Sequence, residues 1–391
     1  MNILTKTSTG RPLLPPHFIL IASSLAWFAF TPATRAQVDG DLGNGNTAEG
    51  NAALANLNGG FNNTAMGNAA LQNNTNGGSN TATGSGALNS NVSGFSNTAD
   101  GFAALSNNTG SFNTASGSLA LSSNTSASDN TAVGYQALKS NTTGPFNTAV
   151  GESALLSNTT GDRNTAIGDG AMIVSSTGFQ NTAIGVSALR NNTTGSQNVA
   201  VGQDACNNNQ DAIGNTGVGY QALLHNSVGG NTAVGFEALL NNTMGSLNTA
   251  TGSLALSSNT TGAQNTATGY QALVDNTTGG DNTATGVNAL FINTTGSQNT
   301  ATGFQALVNN TTASNNTANG FDALSSNTSG TNDTGTGSAA LSANTTGNNN
   351  TANGVNALEF NQTGGNNTAD GFQALLRNTG SNNIAVGQRW R

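Results

Sequence analysis

Residues 147–163 read N-T-A-V-G-E-S-A-L-L-S-N-T-T-G-D-R, and residues 164–168 begin the same pattern again with N-T-A-I-G. Aligned on this start, the chain contains 21 copies, the first beginning at Asn46 and the last at Asn383. Seventeen of the twenty intervals between starts are 17 residues long, and three are 16. A fixed short period is typical of a solenoid in which each repeat forms one coil.

Variation among the copies indicates which positions lie inside, counting from zero at the first Asn of each unit. Position four is Gly in all 21 units, position seven is Ala in all 20 complete units, and position eight is Leu in 18 of those 20. A packed interior accepts one size of side chain, so these invariant positions are predicted to be buried. Position three varies freely, which predicts that it is partly exposed. The structural residues of the central units are Gly151, Ala154, Leu155, Gly168, Gly185, Ala188, Leu189 and Gly202.

The composition of the unit favours strands over helices. About two Gly and several Asn and Thr per 17 residues penalise a helix, and the apolar residues do not recur with the period of a helix. The unit predicts a short strand at T-A-x, a second short strand around x-x-A-L and a turn at N-T-T-G. We therefore expect an all-β solenoid of about twenty coils, stacked in register with Asn side chains as ladders.

The core available to each coil is small. Two Ala and one Leu per unit bury little apolar area against the conformational entropy of fixing the coil, about 1 kcal/mol or more per residue. Packing of several chains through a shared apolar face would compensate, so we expect an oligomer. A candidate face is the run of branched residues at position three: Val133, Val150, Ile167, Ile184, Val201, Val218 and Val234.

The first 36 residues differ from the rest. Lys6 and Arg11 precede an apolar run over residues 18–30, which is too short to cross a bilayer and fits the apolar region of a secretory signal peptide. A retained membrane anchor is the alternative. Residues 37–45 are then a lead-in, residues 46–387 the repeat domain, and residues 388–391 an abrupt end that indicates a truncated product or a separate capping partner.

Reactive side chains are too few for most chemistry. Beyond residue 36 the chain has one His, one Cys and one Lys, so we expect neither a catalytic site nor a metal, cofactor or small-molecule substrate. The single Cys206 allows no internal disulfide. With 17 acidic and 6 basic residues there, a net charge of −11, nucleic-acid binding is also not expected.

The strings N-T-A-V-G at 147–151 and N-T-A-I-G at 181–185, each followed by Ala-Leu, resemble the head repeats of YadA-like trimeric autotransporter adhesins. The N-T-T-G variant is also similar to repeat arrays of bacterial proteins that end in a tail-fibre chaperone domain. The resemblance covers residues 46–387 and implies a left-handed parallel β-roll of three chains, displayed on a bacterial surface or secreted. The unit here is longer than the family's, and no coiled-coil stalk or membrane-anchoring strands are recognisable.

The remaining candidate functional residues lie on the exposed surface of the coils. Aromatics recur at position five, among them Tyr135, Tyr220, Phe236, Tyr270, Phe304 and Phe321. They are candidate contacts for an extracellular-matrix or host-surface ligand, or for neighbouring protomers of a homotrimer. The chain is thus interpreted as an exported, non-catalytic adhesin. A structural fibre without a receptor is one alternative, and an ice-binding solenoid is another, because T-x-T recurs over residues 249–302.

Overall fold

The computed structural model describes residues 42–388. The chain divides into two units at residues 35 and 36, and every described residue belongs to the second unit. The predicted signal peptide, most of the lead-in and residues 389–391 lie outside the described residues. Within residues 42–388 there is no helix, and the regular structure consists of three-residue strands joined by turns.

The described chain is a parallel β-solenoid with one strand per repeat. The strands are β1 Thr47–Glu49, β2 Thr64–Met66, β3 Thr81–Thr83, β4 Thr98–Asp100, β5 Thr114–Ser116, β6 Thr131–Val133, β7 Thr148–Val150, β8 Thr165–Ile167, β9 Thr182–Ile184, β10 Val199–Val201, β11 Thr216–Val218, β12 Thr232–Val234, β13 Thr249–Thr251, β14 Thr266–Thr268, β15 Thr283–Thr285, β16 Thr300–Thr302, β17 Thr317–Asn319, β18 Thr334–Thr336, β19 Thr351–Asn353, β20 Thr368–Asp370 and β21 Ile384–Val386. The prediction of about twenty coils without helix is therefore confirmed.

Each strand pairs in parallel with the strand of the next coil, at the same position of the repeat. In β7 and β8, for example, Thr148 lies opposite Thr165 and Ala149 opposite Ala166. Side chains alternate across a strand, so the central Ala points inward while Thr and the variable residue point outward. At about 4.8 Å per coil, twenty coils form a stack on the order of 100 Å long.

The prediction of a second strand around x-x-A-L is wrong. In the coil that follows β7 this segment is a turn, because Ser153 and Leu155 have φ of 56° and 52°. Left-handed residues curl the chain and prevent an extended strand. Hydrogen bonding between coils nevertheless continues: Ser153 N donates to Tyr135 O (2.9 Å) in the preceding coil, and Leu155 N donates to Ala171 O (3.0 Å) in the following one.

The core is a continuous column of small side chains. Ala154, Leu155, Ala188 and Leu189 have no exposed surface, and their equivalents form one cluster that runs from Ala48 to Ala374. Met172 and Cys206 replace the usual Leu and are equally buried. The coils thus share one narrow interior, and each is stabilised mainly by its two neighbours.

Candidate binding surface

The corner after each strand is shaped by the glycine at position four. Gly151 has φ of 132°, and a Cβ added to it would lie 2.5 Å from the carbonyl oxygen of Gly168 in the next coil. Gly185 has the same relation to Gly202. Only glycine combines this backbone angle with so close an approach of two coils. The residue at position five follows immediately and is held at one coil spacing from its equivalents.

All six aromatic residues singled out from the sequence lie exposed along this corner, between 40% and 54% accessible. Tyr220 stacks on Phe236 with ring centroids 5.5 Å apart, and Phe304 stacks on Phe321 at 5.3 Å. Tyr135 and Tyr270 have no aromatic residue at the same position in the adjoining coils. In a stacked pair each ring covers one face of the other, whereas Tyr135 and Tyr270 have no aromatic ring at the same position in the adjoining coils to cover either face.

A second row of aromatics lies on the corner just before the strand. It consists of Phe61, Phe95, Phe112, Phe146 and Phe179, all exposed and confined to the first half of the repeats. The ring centroids of Phe61 and Phe95 are 6.2 Å apart, and the Arg163 guanidinium lies 5.5 Å from the centre of the Phe146 ring. We did not single out this row from the sequence. Its signal is that Phe recurs at one end of the unit.

The outward face of the strands carries two further patterns. The branched run at position three occupies seven consecutive strands, β6 to β12, and Val133, Ile167, Ile184 and Val234 are 38% to 39% exposed. In β13 to β16 both outward positions are Thr, and both are exposed in all four strands. The apolar run and the threonine array are therefore adjacent segments of one sheet face.

Inside the coils, two rows of asparagine are buried in register. The first asparagine ladder, at position zero, runs from Asn46 to Asn383, and its backbone N–H and side-chain amide donate mainly to the preceding ladder residue and to a carbonyl of the same coil. The second asparagine ladder, at position eleven, runs from Asn74 to Asn378. Asn276 is typical of it: Nδ2 donates to Asn259 Oδ1 (2.8 Å) and to Gly279 O (2.9 Å), and Oδ1 accepts from Asn293 Nδ2 (2.8 Å). These bonds satisfy polar groups that would otherwise be costly to bury.

In each ladder one asparagine is replaced by another residue. Asp333 replaces asparagine in the first ladder and is fully buried. Its Oδ1 accepts from Asn350 N (2.8 Å) and Nδ2 (3.0 Å), and its Oδ2 accepts from Asn344 Nδ2 (3.1 Å). Burial raises the pKa of Asp333 from 3.8 to about 7, although these hydrogen bonds oppose the rise. Ser175 replaces asparagine in the second ladder and is also fully buried.

The other isolated reactive groups have ordinary surroundings. Cys206 is buried at a core Leu position, and burial raises its thiol pKa to about 12, which suppresses the nucleophilic thiolate. His225 is exposed, and its Nδ1 lies 3.2 Å from Asn208 Nδ2. Among residues 42–388, no three His, Cys, Asp or Glu side chains are grouped so that they could hold a metal ion.

The described part of the chain also contains no helix long and apolar enough to cross a membrane. Among residues 42–388, the candidate binding surface is the aromatic corner at position five, and the strand face beside it carries the branched run and the threonine array. The scan of protein-family models and the search of curated proteins each returned no match to this chain.

Proposed function

We propose that this chain is an exported, non-catalytic rod that attaches to extracellular-matrix or cell-surface ligands through many equivalent weak contacts. The observation that carries the proposal is the corner of exposed aromatic residues at position five. Exposed Tyr and Phe supply large contact areas at low conformational cost, which is why aromatics are enriched in binding surfaces. In this chain they recur on a backbone whose coils are all in register.

The stacking of coils supports multivalent binding. Consecutive equivalent residues are separated by about 4.8 Å, so a repetitive ligand can engage several coils without rearrangement. A second contact made by an already tethered ligand is intramolecular, and avidity then exceeds the affinity of any one contact. This favours fibrous matrix proteins or dense surface polymers as ligands over small molecules.

Assembly and location belong to the same proposal. A homotrimer in the manner of the YadA-like head, with left-handed coils, would cover part of the branched run on β6 to β12, which a solvated monomer leaves exposed. The amino-terminal signal-peptide pattern supports export to the bacterial surface or medium. The net acidic charge argues against nucleic acid as a partner.

Binding of the purified chain to immobilised collagen, fibronectin and intact host cells tests this function. We expect saturable binding that weakens when Tyr220, Phe236, Phe304 and Phe321 are all replaced by Ser. The fold should tolerate these changes, because Ser occupies position five naturally at Ser85, Ser118, Ser253 and Ser338. The matched control replaces four residues of the other corner, Phe61, Phe95, Phe112 and Phe146, by Ser.

The outcome separates the adhesin from a structural fibre. Saturable binding that depends on the position-five corner supports adhesion. Self-association without a saturable partner on any of these surfaces would contradict the adhesin and favour the fibre. Light scattering on the same sample checks the trimer, and a stable folded monomer would refute that part of the proposal.

One observation favours a second candidate function, ice binding. The threonine array of β13 to β16 presents two exposed, in-register rows over four coils, and such a flat array of methyl and hydroxyl groups can order ice-like water. Thermal hysteresis in the purified chain would support it. The activity should disappear in Thr268→Lys and survive in the control Thr278→Lys, which lies on an exposed turn outside the array.

A further inference from the structure

The second asparagine ladder is interrupted in the coil that follows β8. The ladder residue of that coil is Ser175, which has no exposed surface. Replacing a carboxamide by a hydroxyl removes the group that elsewhere donates to the preceding coil, donates to a carbonyl of its own coil and accepts from the following coil. The three polar groups that this carboxamide would have met are still in place.

Each of these groups shows the loss. Asn158 Oδ1 is buried and has no hydrogen-bond partner, and the same is true of Ser175 Oγ. Asn192 Nδ2 donates only to Gly195 O (2.9 Å), whereas the equivalent Asn209 Nδ2 donates both to Asn192 Oδ1 (3.1 Å) and to Ala212 O (3.1 Å).

The carbonyl of Gly178 completes the set. It accepts from Asn164 Nδ2 (2.8 Å) alone, whereas the equivalent Gly161 carbonyl accepts from Asn147 and Asn158 together. The site also lies next to Asn192, because a Cβ built on Gly178 would be 3.0 Å from Asn192 Nδ2. The interruption therefore leaves two acceptors, one amide hydrogen and one hydroxyl around a single position.

We propose that one water molecule binds inside the solenoid beside Ser175 and takes over the hydrogen bonds of the missing carboxamide. The water donates to Asn158 Oδ1 and to the Gly178 carbonyl, and it accepts from Asn192 Nδ2 and from the Ser175 hydroxyl. Buried waters typically make about three hydrogen bonds to otherwise unsatisfied groups, and this site supplies four. The difference between a carboxamide and a hydroxyl also leaves room on the scale of one water.

The donor from Asn192 distinguishes water from other small occupants. A metal ion or ammonium would be attracted by the oxygens of Asn158, Gly178 and Ser175, but the amide N–H of Asn192 would face it with its positive end. A dry site would leave Asn158 Oδ1 and Ser175 Oγ without partners in a buried setting. Water is the occupant that satisfies donors and acceptors together.

The test compares the purified full chain with Ser175→Asn by oxygen-17 magnetic relaxation dispersion, which counts waters held in the interior for long times. We expect Ser175→Asn to hold one long-lived water fewer per chain, because its carboxamide displaces the water and restores the ladder. The matched control is Ser157→Asn, the same chemical change at a partly exposed position outside the ladder, and it should leave the count unchanged. Ser175→Ala should retain the water, since three of the four partners remain.

Equal counts for the wild-type chain and a folded Ser175→Asn variant would overturn the proposal. Circular dichroism and amide-exchange protection of the coils around residues 158–192 establish that the variant is folded. A wild-type melting temperature that rises with sodium or ammonium concentration, while that of Ser175→Asn does not, would overturn it in favour of a bound cation.

Discussion

Replacing the buried Asp333 by Asn should stabilise the coils around β18, and the gain should grow as the pH rises. The native carboxyl group lies in a ladder of amides, and its charged form cannot donate to the Gly347 carbonyl as Asn316 Nδ2 donates to Gly330 O (2.8 Å). Burial makes its charged form unfavourable, so the pKa of Asp333 rises from 3.8 to about 7 in the folded chain. Asparagine has no charge to bury and restores the missing donor.

The sign and size of the effect follow from this pKa. A group whose pKa is raised by folding favours the folded state most below its unfolded value, here about pH 4, and the contribution is lost as the pH rises to about 7. Each unit is worth about 1.4 kcal/mol, so the shift corresponds to roughly 4 kcal/mol of local stability. We therefore expect Asp333→Asn to be little different from the wild type at pH 4 and more stable by about 2 to 4 kcal/mol at pH 8.

Hydrogen exchange resolved by peptide is the appropriate assay, because distant coils of a solenoid open independently. After correction for intrinsic exchange rates, protection of residues 327–352 should fall between pH 4 and pH 8 in the wild type by a factor approaching 10³, on the order set by the pKa shift. It should stay constant in Asp333→Asn. Asp281→Asn removes the same charge from an exposed position and should behave as the wild type. Protection that is independent of pH in the wild type would refute the reasoning.

Three further predictions concern the core and the corner glycine. Gly151→Val should cost at least about 3 kcal/mol, since its Cβ would meet the Gly168 carbonyl at a backbone angle that valine avoids, and an unchanged melting temperature would contradict this. Leu189→Ala should cost about 2 to 5 kcal/mol in urea unfolding, because it leaves a cavity in a fully buried column; a loss below 1 kcal/mol would mean that the coils collapse around it. Cys206 should not react with a thiol reagent at pH 8 until the chain is unfolded, since the thiol is buried and its pKa is raised to about 12, and fast labelling of the native chain would disprove its burial.

The repeat and its interior could be predicted from the sequence because invariance and alternation are physical signals. The strand centre is Ala except at Gly217 and Gly335, and the Ala-Leu pair after the glycine varies only where Met172 and Cys206 replace Leu; both sets of residues lie in the core from β1 to β20. The x-x-A-L segment was misjudged because Leu normally avoids a left-handed backbone. Leu155 adopts one here, since its N–H donates to Ala171 O in the following coil, Ser153 N–H anchors the same turn to the preceding coil, and burial of the Leu155 side chain compensates for the strain.

The buried replacements of asparagine in the two ladders could not be found from composition alone. Asparagine and serine in an N-T-T-G setting indicate a solvated turn, and only the structure places Asn158 and Ser175 fully inside. Similarly, Asp333 is one acidic residue among 17 until its neighbours in the ladder are known. The exposure of the aromatic corner, by contrast, follows from the variability of position five, where Ser, Glu, Gln and Asp alternate with Tyr and Phe.

The second asparagine ladder also gives the solenoid a net dipole along its axis. Backbone hydrogen bonds between coils run toward both neighbours, so their dipoles largely cancel, as they do in ordinary sheets. The ladder amides do not cancel, because in uninterrupted stretches such as Asn242 to Asn293 the Nδ2 of each residue donates to the coil before it and the Oδ1 accepts from the coil after it. Their dipoles add along the axis as peptide dipoles add in an α-helix, with the partial positive charge at the amino-terminal end. Two such solenoids aligned head to tail would have dipoles that add, whereas two solenoids that meet at like ends would repel each other.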